Sequence, residues 1–207
     1  MSARQSPDAG ASVDQLLEAG LAHHRAGDLA GAARCYQRAL ERAPGLARGW
    51  HLLGLTHAQA GEAADAMALI TRALAIDPGD AEAHGDLGHL HQRQGRPAEA
   101  AASYRAALAA DPAGDAAWRT RIWTDLGMAL SATGDRENAI MAWQTALEID
   151  AGRIDTQYHL ASALHDSGAL DDAAAGYRTV LAAQPRHRDA QARLKQAMVQ
   201  MGAQPGG

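Results

Sequence analysis

Glycines recur at Gly27, Gly61, Gly95, Gly134 and Gly168, separated by 34, 34, 39 and 34 residues. A fixed period of this length means one supersecondary unit copied along the chain. It constrains the fold to a helical repeat before any side-chain chemistry is considered. The single longer interval falls before the fourth unit.

Aligned on these glycines, other positions fall into columns. A small-residue pair precedes each glycine: Ala19-Gly20, Leu53-Gly54, Leu87-Gly88, Leu126-Gly127 and Leu160-Ala161. Alanine follows each one, at Ala32, Ala66, Ala100, Ala139 and Ala173. A large apolar residue comes next, at Tyr36, Ile70, Tyr104, Trp143 and Tyr177, then Ala39, Ala73, Ala107, Ala146 or Val180. Pro44, Pro78, Pro112 and Pro185 close four units, and Ala151 stands there in the fourth. Small residues let two helix backbones approach closely, and the large ones make an apolar stripe on one helix face. The shared glycine ends the first helix in a left-handed conformation, and proline stops the second. Each unit therefore reads as helix, tight turn, helix, break.

This column set resembles the tetratricopeptide repeat (TPR), with the second unit matching best through Trp50, Leu53-Gly54, Ala66, Ala73 and Pro78. The resemblance implies an all-α, right-handed superhelical solenoid of five helix-turn-helix repeats. Their spans are 13–46, 47–80, 81–114, 120–153 and 154–187, with 115–119 as an insertion that extends a helix. Residues 188–201 read as a capping helix. There Ala190, Leu194, Ala197, Met198 and Met201 form one apolar stripe, opposite Arg188, Asp189, Arg193, Lys195 and Gln200. Residues 1–12 and 202–207 read as flexible tails.

The texture is also similar to the repeat arrays of O-GlcNAc-transferase-like proteins, as in His51-Leu52-Leu53-Gly54 and the run from Arg72 to Pro78. The asparagine ladder of those arrays would occupy the sixth place of each unit. Here that place holds Glu18, Leu52, Asp86, Asp125 and His159, and the reading is of an array without the catalytic domain. The two-carboxylate clamp of chaperone-binding arrays is likewise missing, with Leu17, Leu21, Leu52, Glu82 and Asp86 at its places.

Composition narrows the function further. Alanine makes up roughly a quarter of the chain, which suits close helix packing. The formal net charge is −5, and arginine is spread without a basic face, so nucleic-acid binding is not expected. Lys195 is the only lysine, and this preference for arginine points to a GC-rich bacterial genome. Cys35 is the only cysteine, which excludes an intramolecular disulfide and a thiolate metal cluster. No secretory-type apolar run and no 18-residue apolar stretch is present, so the expectation is a cytoplasmic protein without membrane insertion.

In such arrays the resemblance implies that the first helices line a concave groove. The groove-facing places supply Arg48, His51, Leu55 and Gln59 from the second unit, and Glu82, His89, Gln92 and Arg93 from the third. They supply Arg121, Thr124 and Met128 from the fourth unit, and Tyr158, Ser162 and His165 from the fifth. The second place alternates in sign through Asp14, Arg48, Glu82, Arg121 and Asp155. Alternation suits either an extended peptide of mixed charge or pairing between neighbouring units. The groove histidines predict binding that changes between about pH 6 and 7. In the insertion, Trp118 reads as a staple on the end of the third unit, with an aromatic anchor for a partner as the alternative.

Nothing in the sequence points to catalysis. His23, His57 and His91 share the eleventh place and read as packed, hydrogen-bonded rings. His84, His89 and His91 lack the i, i+4 spacing of a helical zinc pair. No cofactor or metal is expected. The expected function is a non-catalytic scaffold or adaptor that binds a peptide segment or a partner enzyme through the groove. The alternatives are self-assembly into homo-oligomers, or a stand-alone regulatory module of a glycosyltransferase system.

Overall fold

The computed structural model describes residues 10–203. Most of the two expected tails lies outside the described residues. Eleven α-helices are present among the described residues, and no strand. They group into two compact units that meet between Gln94 and Gly95. The first contains α1 (Val13–Arg25), α2 (Leu29–Arg42), α3 (Ala47–Ala60), α4 (Ala63–Ile76) and α5 (Ala81–Arg93). The second contains α6 (Pro97–Ala110), α7 (Ala116–Ala132), α8 (Arg136–Ile149), α9 (Ile154–Asp166), α10 (Leu170–Ala183) and α11 (Arg188–Ala203).

The helix boundaries follow from local chemistry. Ser12 opens α1 with a capping box, its hydroxyl accepting from Gln15 N while Ser12 N donates to Gln15 Oε1. Asp28, Asp80, Asp115 and Asp135 cap α2, α5, α7 and α8 through their side chains. Gly27, Gly61, Gly95, Gly134 and Gly168 all have φ between 68° and 87°, and no other described residue has a positive φ. The periodic glycines are thus the left-handed turns.

The second helices end in one conformation. Ala43, Asp77, Asp111 and Gln184, each before a proline, have φ from −126° to −134° and ψ from 77° to 90°. A following proline disfavours the helical region for its predecessor, and all four residues have left it. Asp150 adopts the same conformation, φ −143° and ψ 94°, without a proline. Its side chain accepts from Gly152 N at 2.9 Å, as Asp77 accepts from Gly79 N at 3.1 Å beside Pro78, so this turn forms with or without the proline.

Packing explains the columns. The alanine, large-residue and small-residue places of the second helices are at most 3% exposed in every unit. The large residue sits where the first helix has no side chain. A Cβ on Gly20 would lie 2.3 Å from Tyr36 Cε1, on Gly54 2.7 Å from Ile70 Cγ1, and on Gly127 2.4 Å from Trp143 Nε1. In the fifth repeat the exchange is reciprocal. The first helix carries Ala161, the second carries Gly176, and a Cβ on Gly176 would lie 2.8 Å from Ala161 Cβ.

Helix α11 packs on α10 and α9, burying Ala190 and Ala197 completely. The stripe read from the sequence is only partly correct: Met198 is 52% exposed, and Val199 beside it 63%. Arg193, placed on the solvent face by the sequence, reaches back to Asp166 at 2.8 Å. The buried face of α11 is therefore narrower than its hydrophobic pattern, because only α9 and α10 cover it.

Gly127→Val tests the close approach. The added branch must displace the buried Trp143 ring, and overpacking of this kind costs roughly 1–3 kcal/mol. Urea unfolding should show a lower midpoint than wild type. An unchanged midpoint would mean that the two helices are free to separate.

Candidate functional site

The site residues lie on first helices, and each compact unit carries its own set. On the first unit, Arg48, Gln59, Glu82 and Arg93 are exposed, while Leu55, His89 and Gln92 are half-buried. On the second, Arg121 and Met128 are exposed, and Tyr158 and Ser162 are half-buried. These side chains are available to a ligand to that extent.

Three candidates are not. His51, Thr124 and His165 are each 6% exposed and belong to helix–helix packing. His51 Nε2 lies 2.8 Å from Asp86 Oδ2, and its Nδ1 lies 3.4 Å from Asp80 Oδ2, so one ring links α3 to α5 and to its N-cap. Thr124 Oγ1 is 2.9 Å from Thr156 Oγ1 and 2.9 Å from Thr120 O, joining α7 to α9. His165 Nε2 is 3.0 Å from Gln200 Oε1, joining α9 to α11. Groove-facing places at the inner edge of one helix are covered by the next first helix. His89, the other groove histidine, is half-buried.

The charges of the second place behave differently. Asp14, Arg48 and Glu82 on the first unit make no ion pair with one another, and neither do Arg121 and Asp155 on the second. All five are exposed. The pairing alternative read from the alternation is not what these side chains do within either unit.

His23 and His57, two of the three eleventh-place histidines, each bond across the turn of their own hairpin. His23 Nδ1 meets Asp28 Oδ2 at 2.8 Å, and His57 Nδ1 meets Glu62 Oε2. Asp65 brings a third ligand atom close to His57 and Glu62, all within 4.8 Å. The His57–Glu62 hydrogen bond accounts for that closeness, since His23 and Asp28 make the same contact in the preceding repeat.

Trp118 lies in the first turn of α7, which at 17 residues exceeds the 13 or 14 of the other first helices α1, α3, α5 and α9. It is half-buried against the hydrophobic cluster that contains Tyr104, Ile122 and Leu126. Tyr158 is also engaged, with its ring 4.8 Å from His187 and 6.1 Å from Tyr177.

Sequence columns missed one feature. A pocket of about 150 Å³ in the second unit is lined by Ser131, Arg136, Trp143, His159, Ser162 and Asp166, with Gly134 and Ala163. Arg136 lies on a second helix, outside the places taken to face the groove. Its column carried the signal, because the seventeenth place is otherwise Leu29, Ala63, Pro97 and Leu170.

Helical hairpins repeated in this way define a helical-repeat protein. Three family models, each described as tetratricopeptide repeat, match residues 17–81, 57–122 and 120–153. Together they run from residue 17 to residue 153 of 207, and the chain belongs to the tetratricopeptide repeat proteins. A crystal structure of MamA matches with a TM-score of 0.74 and 21% identity, over 86% of this chain and 94% of that one. MamA from residue 41 onward, of Desulfovibrio magneticus RS-1, gives 0.69 and 19%, over 95% and 99%. YrrB, described as a TPR protein with an unusual peptide-binding site, gives 0.75 and 21%, over 84% and 87%. At these identities the likeness is one of fold. No curated protein matches the chain. Among the described residues, no helix is long and apolar enough to cross a membrane.

Two measurements check this account. Burial disfavours the charged His51 ring, but the Asp86 hydrogen bond and the charges of Asp86, Asp80 and Glu82 outweigh it, so its pKa is raised. The stabilisation is complete below the unfolded value of about 6.5 and is lost as pH rises through the raised folded value. The melting temperature of wild type relative to His51→Gln should therefore fall between about pH 5.5 and about pH 8.5. A constant difference would remove the charged link. Trp118→Ala should cost on the order of 2 kcal/mol, below the 3–5 of a fully buried tryptophan. An unchanged melting temperature would favour the anchor reading.

Proposed function

We propose that this protein is a non-catalytic scaffold that holds an extended polypeptide segment of mixed charge on the first-helix faces. The unpaired second-place charges carry this reading. Side chains that hold a fold together are buried or partnered, as His51, Thr124 and His165 are. Asp14, Arg48, Glu82, Arg121 and Asp155 alternate in sign, stay exposed and make no ion pairs within their units. Complementary charges along a partner set register and association rate more than total affinity. The peptide-binding site stated for YrrB supports this reading by analogy of fold alone.

The test is recovery of partners from the native cell by wild type, by an Arg48→Glu, Arg121→Glu double variant, and by Arg178→Glu on α10. The double variant should recover the wild-type partner roughly tenfold less, and Arg178→Glu should match wild type. Equal recovery by all three would place binding on another surface.

Exposed Met198 and Val199 favour a second reading, self-association through α11. Light scattering that rises with concentration in wild type but not in Met198→Lys would support it.

A further inference from the structure

Two departures from the chain's own repeat pattern meet at one place. The seventeenth place, apolar in four repeats, holds Arg136 in the fourth. The ninth place, filled by Leu21, Leu55, His89 and Met128 in earlier repeats, holds the shorter Ser162 in the fifth. Both side chains line the same pocket on the second compact unit. Neither substitution improves packing. Arginine replaces an apolar residue and serine leaves space, so together they make a small polar opening where the other repeats place apolar or larger side chains.

The charge in that opening is unbalanced. Arg136 makes no ion pair among the described residues. The pocket's carboxylate, Asp166, is already held by Arg193 at 2.8 Å. His159 stacks on Trp143, with ring centroids 5.7 Å apart and planes at 19°, and burial lowers its pKa against the pull of Asp155, so it adds no charge at neutral pH. One guanidinium therefore remains, with the Ser131 and Ser162 hydroxyls as further donors and an aromatic wall beside them.

Size limits the occupant. Pockets for drug-sized ligands and cofactors run to roughly 300–1,000 Å³. A volume of about 150 Å³ is that of one side chain. A carboxylate can accept two parallel bonds from arginine and one from each hydroxyl, while its methylenes lie against the Trp143 and His159 rings.

We infer that this pocket receives a single aspartate or glutamate side chain from an internal position of the bound polypeptide. The inference rests on the scaffold reading above and names the chemistry that one part of that surface selects.

The test uses the full chain and phage-displayed random linear dodecapeptides, selected in parallel on wild type, Arg136→Glu and Arg178→Glu. Wild type and Arg178→Glu should enrich peptides with an acidic residue at one internal position, and Arg136→Glu should enrich lysine or arginine there. Replacing that acidic residue by its amide, or Arg136 by Gln, should weaken a selected peptide roughly tenfold. Arg136 is exposed, so all variants should keep the wild-type melting curve. Peptides that bind and weaken with Arg121→Glu, but show no acidic position or ignore Arg136, would overturn the pocket and leave the scaffold reading standing. An acidic residue found only at the free C-terminus would also overturn it. If no variant selects peptides, both readings fall.

Discussion

The close approach of the two helices in a repeat is the contact on which the rest depends. A large side chain on the second helix fills the space that a missing side chain leaves on the first. Glycine in a helix interior costs about 1 kcal/mol relative to alanine. The chain accepts that cost at Gly20, Gly54 and Gly127, and burial of a tyrosine, isoleucine or tryptophan in the same place offsets it. Gly176 opposite Ala161 shows that the constraint belongs to the contact and not to one helix: either partner can be the one without a side chain. Once this contact sets the hairpin, the left-handed glycine and the non-helical residue that ends the second helix set the connections.

The fold was legible because every packing place is written several times. One glycine is weak information, whereas five with a common spacing and a common left-handed φ identify the turn. The break after the fourth repeat was less legible. Asp150 adopts the backbone conformation of its counterparts with no proline after it, which a proline count does not see. The outward stripe of α11 was overread for a related reason. A helical pattern shows which residues share a face but not how far neighbouring helices cover it, and Met198 lies beyond α9 and α10.

The candidate site was legible only in part, and the errors have one physical origin. His51, Thr124 and His165 occupy places that face inward on an isolated hairpin. Their partners Asp86, Thr156 and Gln200 lie 35, 32 and 35 residues on, close to one repeat period. Reading one repeat at a time cannot show what the next first helix brings to the same place. Arg136 was missed from the opposite direction. It stands in a column that normally packs, and only comparison down that column shows a residue that does not serve packing.

Helix α11 shows how the same contact limits the pattern. It continues the repeat register, with Leu194 at the place of the column leucines and Lys195 at the eighth place, where the first helices carry glycine or alanine. A second helix cannot bring a tyrosine or tryptophan against a lysine side chain as it does against Gly20 or Gly127. Beside it Leu194 is half-buried, and Met198 and Val199 are exposed. The eighth place thus decides both where helices pair and where apolar surface stays open.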